Sequence, residues 1–517
     1  MKKSFCGLLL ITTILSTPIY ASDDTTSETA ITIYSKAGVG AIDPNSYRPT
    51  TSSSGYSAYN GANVPGYAIV KQVEKINLKN SEDTVKISDV AALIDPTTVQ
   101  FKSLTDPKGT KVVEQDYQFD LVSQAKLLDK YIDKKVSVEK YNGTKNEIIE
   151  GTLLSTQGGL TLKTGDGIKA INSYTGINFS ELPGGLITKP TLVWDIITSK
   201  IGEHKAELSY ETAGVTWWAD YNLTYKEGKD ANSGTVDFSS WVSIINQSGA
   251  TYNDAKLKLV AGNVEKVSPQ SANMLGGIKA LRKMEMSDSA VPEAPKFDEK
   301  SFFEYHLYTL NRPVTLPQNS TKQLELIPAV KDVPVEKELV YVGLQQEYWN
   351  WDSYYIGKDD GIDGSNKKVR VLLKLKNKQE NGLGVALPAG RMRVNQRDSD
   401  GSLEFIGENN IDHTPRNEDI SIKLGDAFDV VGESKQVNYT LDTRNRIAEE
   451  EIEVKIRNQK KQSVKVKVIE NMYRATGWEI LNSNLQYKKE NAHQTSYLVS
   501  VDPEKEAVVT YKVRYKW

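Results

Sequence analysis

The sequence predicts a mainly β protein, with antiparallel β-sandwich domains, one inserted helix and a small barrel of the SH3 or Sm type. Short segments such as YAIVKQVEKINL and DTVKISDVAAL alternate apolar and polar residues with a period of two, which is the pattern of half-buried strands. Turn residues separate these segments at a spacing of about ten residues, as in an all-β sandwich. A sustained helical period occurs in one segment alone.

The N-terminus has the three parts of a secretory signal peptide, which we place at residues 1–21. Two lysines precede an apolar stretch at residues 5–15, and Ala21 occupies a suitable cleavage position. That stretch is too short to span a membrane, and no later run reaches about 18 apolar residues. We therefore expect export to the periplasm or the cell exterior, and a mature chain without a transmembrane helix that begins near Ser22.

Composition excludes several classes of function. Lys and Arg number 64 against 67 Asp and Glu, so the formal net charge is −3 and the positive excess of a nucleic-acid-binding protein is missing. The single cysteine, Cys6, belongs to the signal peptide, which excludes a disulfide, a zinc thiolate site and a thiol nucleophile in the mature chain. The four histidines are scattered, and we interpret them as residues with local partners. No cofactor and no metal are expected.

Element spacing divides the rest of the chain into three regions. Residues 22–118 form an N-terminal β region with a flexible loop at 45–66 that is rich in Gly, Ser and Tyr. Residues 119–185 combine the helix with the small β-barrel. Residues 186–517 form a C-terminal β-sandwich domain, and a Pro-, Ser- and Met-rich insertion at 268–300 is expected to be disordered.

The predicted helix lies in FDLVSQAKLLDKYIDK. Four apolar residues recur there on one helical face, namely Leu121, Ala125, Leu128 and Ile132. Four or five short strand segments follow, separated by dipeptides such as Gly-Gly and Asp-Gly that tolerate positive φ in tight hairpins. A helix followed by short, strongly bent strands predicts the small barrel.

Catalytic motifs are absent, because the sequence contains no HExxH, GxSxG, GxGxxG or P-loop segment. Two Asp-Gly segments, which contain Asp359 and Asp398, place oxygen ligands ahead of a glycine, as calcium loops do. Neither has a glutamate at the last position of an EF-hand loop. Hairpin turns explain both segments, and calcium binding is the alternative.

Aromatic residues supply the first candidate binding surface. Neighbouring residues of a strand point to opposite faces, so one of Trp217 and Trp218 is expected in the core and the other exposed. A second cluster suits stacking on a sugar ring or on a partner protein, with packing beside a hairpin as the alternative. Its members are Trp349, Trp351, Tyr354 and Tyr355. The 26 tyrosines are assigned to half-wetted sheet faces and not to a dry core.

Long motifs occur along the mature chain, among them TWWADYNLTY, WVSIINQSGATYNDAKLKLVAG, GVALPAGRMRV and FIGENNIDHTPRNEDISIKLGDAFDVVGE. These segments resemble exported bacterial proteins that carry the domain of unknown function numbered four-one-three-nine, which also occurs in mucoidy-inhibitor-A-like proteins. The resemblance is strongest over residues 186–517. It implies a β-rich exported protein with no established catalytic residue or cofactor. The long coiled-coil heptads of the mucoidy-inhibitor-A-like members are missing, so their role is not carried over.

The last of these motifs supplies a second candidate binding surface. His413, Arg416 and Asp429 bring an imidazole, a guanidinium and a carboxylate into one short stretch of sequence, and we expect them to converge.

The leading hypothesis is an exported, non-enzymatic envelope protein that acts as a β-rich scaffold or binds an envelope protein or glycan. The first alternative is a hydrolase of envelope polysaccharide that uses two facing carboxylates. The second is an outer-membrane β-barrel component, because Tyr511, Val513 and Tyr515 alternate with polar residues at the C-terminus.

Overall fold

The computed structural model describes residues 29–35, 64–141, 143–262, 264, 297–303, 305–344 and 364–516. The predicted signal peptide at 1–21 lies outside these ranges, as do most of the predicted loop at 45–66 and most of the insertion at 268–300. The mainly β prediction is confirmed, because the described residues are mostly strand.

The first part of the chain forms strands on either side of a small inserted unit. The strands before the insert are β1 Ala30–Tyr34, β2 Tyr67–Leu78, β3 Glu82–Ser88, β4 Ile94–Ser103 and β5 Lys111–Gln118. The insert contains α1 Gln124–Lys130, β6 Lys135–Tyr141, β7 Asn146–Ser155, β8 Leu160–Thr164, β9 Gly167–Ile171 and β10 Gly176–Phe179. The strands after it are β11 Thr191–Ile197, β12 Gly202–Thr212, β13 Val215–Glu227, β14 Ser233–Asn246 and β15 Tyr252–Ala261.

The remaining strands follow the predicted insertion. The next group is β16 Phe297–Phe302, β17 Tyr305–Leu310, β18 Val314–Leu316, β19 Ser320–Val342, β20 Lys368–Lys376, β21 Gly390–Arg397 and β22 Leu403–Ile411, with a short 3-10 helix at Gln379–Asn381. The last group is β23 Asp419–Asp442, β24 Ile447–Asn458, β25 Val464–Asn471, β26 Gly477–Ser483, β27 Tyr487–Lys489, β28 Gln494–Val501 and β29 Lys505–Lys516.

Strands from the N-terminal region and strands after the insert share two sheets. One sheet has the order β16-β17-β15-β1-β2-β12-β4, with β18 beside β15, and a small sheet has the order β3-β11-β5. The predicted boundary at residue 186 therefore lies between strands that pair with one another, such as β2 and β12. The insertion that was predicted to be disordered up to residue 300 is already ordered from Phe297. Strand Phe297–Phe302 pairs with β17, and Phe297 is buried in the core.

The inserted unit has the predicted helix followed by five antiparallel strands in the order β10-β6-β7-β8-β9. Among the described residues the two outermost strands, β9 and β10, do not pair with each other. The sheet is therefore open, whereas a closed barrel was expected. The helix is shorter than its apolar period predicts. Ser123 caps its first turn by accepting a hydrogen bond from the Lys126 amide, and Leu121 instead forms a bridge with Ile187.

A thirteen-stranded sheet extends through the C-terminal region. Its main path is β22-β21-β13-β14-β19-β20-β23-β24-β29-β26, and β25, β27 and β28 branch from β19. Most ladders are antiparallel, but β1–β15, β13–β21 and β19–β25 are parallel.

Two hydrophobic cores lie along this large sheet. In the first core the inner face of β13 and β14 packs with the eight-stranded sheet through residues such as Trp217 and Ile31. The second core contains Val466, Tyr497 and Tyr511 from the C-terminal strands. The long strand β19 belongs to both, since Leu326 is in the first core and Tyr341 is in the second.

Several tyrosines are fully buried, which corrects their assignment to wetted faces. Tyr210, Tyr221, Tyr252, Tyr341 and Tyr515 are among the largest side chains with less than 2% exposure. A buried phenol is tolerated where its hydroxyl finds an acceptor. The Tyr221 hydroxyl, for example, donates to the carbonyl of Pro388 at 2.7 Å.

Candidate functional site

The aromatic cluster proposed from the sequence cannot be placed. Trp349, Trp351, Tyr354 and Tyr355 lie outside the described residues, as does Asp359 of the first Asp-Gly segment. The role of that cluster stays a prediction.

The structure does not bring His413, Arg416 and Asp429 together. His413 Nδ1 accepts a hydrogen bond from the Ala389 amide at 3.1 Å, and desolvation lowers the pKa of this imidazole. Arg416 is exposed in the turn before β23. Asp429 is an exposed residue in the middle of β23. At about 3.3 Å per residue it lies roughly 30 Å along the strand from the first residue of β23. The three side chains are therefore spread along one strand and the turn that precedes it.

The second Asp-Gly segment forms the hairpin between β21 and β22. The Gly401 amide donates to the Asp398 carbonyl at 3.0 Å, and the Asp400 carboxylate accepts from the Ser402 amide at 2.8 Å. Hydrogen bonds from the Ser402 amide and hydroxyl lower the pKa of Asp400. Within the described ranges, no group of three or more His, Cys, Asp and Glu residues is placed to hold a metal ion.

The paired tryptophans point to opposite faces of β13, as predicted, but both are buried. Trp217 lies in the first core, and its Nε1 donates to the Ile33 carbonyl at 3.2 Å. Trp218 lies on the other face of the sheet with Val64 and Ile245. The expectation that one of them is exposed is wrong, because Trp218 packs with Val64 and Ile245 in a small apolar cluster outside the first core.

The face of the large sheet that carries Trp218, which we call its outer face, also carries a row of polar and aromatic side chains across five neighbouring strands. Strand register places them opposite one another in the order Asn410, Arg391, Asp220, Trp241 and Glu325, from β22 to β19. We call these five residues the outer-face row. Strands lie about 4.8 Å apart, so the row is roughly 19 Å long.

Asp220 is the fixed centre of the outer-face row. It is only 7% exposed, and its Oδ2 accepts from Trp218 Nε1 at 2.6 Å and from the Ser243 hydroxyl at 3.2 Å. Its Oδ1 lies 3.4 Å from Nη2 of Arg391. These partners hold the carboxylate in place, and the carboxylate in turn faces the Arg391 guanidinium.

A further carboxylate, that of Glu408, lies beside the row. Glu408 Oε2 lies 3.3 Å from Arg393 Nε and 4.0 Å from Arg391 Nε. Among the described residues, Arg391 therefore faces the carboxylates of Asp220 and Glu408, and Arg393 faces that of Glu408.

Trp241 gives the row an exposed aromatic surface. It lies between Asp220 and Glu325 and is 38% exposed, although most tryptophans on β13 and β14 are buried. The β14–β19 ladder shifts register beside it, and such a bulge increases local twist and re-aims side chains. An indole next to fixed donors and acceptors can stack on a ligand while neighbouring side chains hydrogen-bond to it.

Sequence reasoning missed the row because its members come from distant segments. Asp220 and Arg391 are 171 residues apart. A local signal existed for Trp241 alone. In VDFSSWVSII the two-residue period assigns Phe238 and Val242 to the core, which leaves Trp241 on the opposite face.

No family model, curated protein or solved structure matches this chain. The resemblance inferred from the sequence motifs therefore remains a prediction. Among the described residues, no helix is long and apolar enough to cross a membrane.

Proposed function

We propose that this chain is an exported, non-enzymatic binding protein of the bacterial cell envelope and that its ligand is a glycan. The single observation that carries the proposal is the outer-face row, in which an exposed indole stands between the buried, hydrogen-bonded Asp220 carboxylate and the exposed Glu325. The signal-like N-terminus and the resemblance to exported proteins support the location.

The chemistry of the row favours a neutral polyhydroxyl ligand. Carboxylates accept hydrogen bonds, guanidinium groups donate them, and the amide of Asn410 does both, so sugar hydroxyls find partners of either kind. The apolar face of a sugar ring can cover the Trp241 indole. A nucleic acid is disfavoured, since phosphates need unpaired cations and the two arginines here face carboxylates.

An array of bacterial envelope glycans tests the proposal directly. The wild type should bind a subset of the array, and Trp241→Ala should weaken that binding by at least about tenfold, or about 1.4 kcal/mol. Phe428→Ala is the matched control, because Phe428 is 96% exposed and lies outside the row. Absence of any bound glycan, or equal binding by Trp241→Ala, would contradict the proposal.

The hydrolase and outer-membrane alternatives have their own outcomes. Release of new reducing ends from a bound polysaccharide would replace the binding role with catalysis by paired carboxylates. In cell fractionation we expect the protein in the osmotic-shock fluid or the medium. A protein that stays with outer membranes through carbonate extraction would instead support the outer-membrane alternative.

A further inference from the structure

A cleft lies between two strand edges beside the first core. β4 and β5 are consecutive strands, yet in the part of the chain that the structure describes β4 pairs only with β12 and β5 only with β11. The space between them has a volume of about 600 Å³ and is lined by residues of both strands. Consecutive residues, such as Phe101, Lys102 and Ser103, line it, so the backbone edges form part of its walls.

Hydrogen bonds at both ends set the spacing of the two strands. At one end, Gln115 Nε2 donates to the Pro96 carbonyl at 3.0 Å. At the other end, the connecting loop is tied by Asp106, whose carboxylate accepts from the Gly109 amide at 3.0 Å and from the Ser199 hydroxyl at 2.8 Å. These bonds, with the Ser199 hydroxyl as the largest cause, lower the pKa of Asp106. These bonds fix the two ends of the cleft.

Buried side chains brace the same end of β4. The Ser103 hydroxyl lies 3.0 Å from Nδ1 of His204, and Nε2 of His204 lies 2.6 Å from the Lys200 carbonyl oxygen. Both residues are almost completely buried, so this pair fixes the strand and is closed to a substrate.

The floor and rim of the cleft differ in chemistry. Half-buried apolar residues packed on the first core form the floor, namely Val99, Phe101 and Val112. Lys102 and Lys111 are exposed at the rim, and neither has a salt-bridge partner among the described residues. Glu114 is the single acidic residue of the lining, so the rim has a positive excess.

We infer that this cleft binds an extended peptide segment of a partner protein, with apolar residues at alternate positions and acidic residues between them. Unpaired main-chain groups of a strand edge give affinity to an added strand, and pockets for alternate side chains give specificity. Apolar side chains would face the floor of Val99, Phe101 and Val112, and acidic side chains would meet Lys102 and Lys111.

Fluorescence anisotropy with defined peptides tests this inference on the full-length mature protein. The probe is a labelled seven-residue peptide with valine at alternate positions and aspartate or glutamate between them. It should bind more tightly than about 1 mM. A version with N-methylated backbone amides, and a version with lysine in place of each acidic residue, should each bind at least about tenfold more weakly.

Variants of the protein complete the test. The double variant K102E/K111E should lose at least about tenfold in affinity for the acidic probe and gain affinity for the lysine probe. Lys108→Glu is the matched control, because Lys108 is exposed in the same loop but does not line the cleft. Absence of binding at 1 mM, equal binding of the N-methylated probe, or an unchanged affinity of the double variant would each overturn the inference. So would a dimer of this chain that buries the cleft.

Discussion

Nε of Arg474 lies 2.9 Å from Oε2 of Glu450, and both side chains are only 1% exposed. The guanidinium stacks over the rings of Tyr439 and Tyr473, 4.8 Å and 4.7 Å from their centroids. Gln436 also donates to Glu450 Oε2, at 2.8 Å. The second core is thus built around an ion pair as well as around apolar residues.

Removing one partner of the Glu450–Arg474 ion pair while the other stays buried should strongly destabilise the protein. Arg474→Met leaves the Glu450 carboxylate buried without its counter-ion, which costs about 3–5 kcal/mol in comparable cases. Urea denaturation measures the loss. Lys505→Met is the control, because the Lys505–Asp502 pair is largely exposed and should cost less than about 1 kcal/mol. Equal losses for the two variants would show that burial does not set the strength of the Glu450–Arg474 pair.

Glu470 should make the stability of the protein depend on pH. Burial raises the pKa of Glu470 to about 8, against a hydrogen bond from the Tyr511 hydroxyl that lowers it. The folded state therefore keeps a proton that the unfolded state releases above its ordinary pKa of about 4.3. The stabilising contribution is complete below that pH and declines as the pH rises towards 8.

Glu470→Gln removes this titration, and the measurement is the urea midpoint at several pH values. The decline in stability between pH 5 and pH 8 should be smaller in Glu470→Gln than in the wild type. Parallel pH profiles for the two proteins would contradict the assignment of this pH dependence to Glu470.

Gly390 should not tolerate a side chain, because β21 lies close to β13 at this point. A Cβ on Gly390 would lie 2.2 Å from the backbone oxygen of Ala219. Gly390→Ala should therefore cost roughly 1–3 kcal/mol in denaturation experiments. Gly165→Ala is the control, with nothing within 4 Å of its added Cβ, and should change stability by less than about 0.5 kcal/mol. A neutral Gly390→Ala would mean that the two strands separate easily.

The inserted unit should be removable without unfolding the rest of the chain. Its two ends meet where the Val122 amide donates to the Ile187 carbonyl at 2.9 Å and the Ile187 amide donates to the Asp120 carbonyl at 3.0 Å. Its core, which includes Tyr131 and Leu153, is separate from the two larger ones. Replacing residues 123–186 by a four-residue Gly/Ser linker should preserve a cooperative thermal transition and the near-ultraviolet circular dichroism. A molten product would show that the unit is integral to the fold.

Local patterns predicted the strands well and their partners poorly. Val464, Val466 and Val468 are buried as their alternation with lysines predicts, because a period of two depends on one strand alone. The parallel pairing of β13 with β21, which creates the Asp220–Arg391 contact, depends on a distant segment and has no local signal. The buried tyrosines escaped prediction for the same reason, since the carbonyl partner of Tyr221 is 167 residues away.

Hydroxyl-radical footprinting of Trp241 tests the proposed glycan-binding face most directly. Oxidation of this exposed indole would be followed by mass spectrometry with and without the glycan that binds most tightly on the array. We expect the glycan to protect Trp241 and to leave Phe428, which lies outside the outer-face row, as reactive as before. A glycan that binds while Trp241 oxidises at an unchanged rate would contradict the assignment of this face as the binding site.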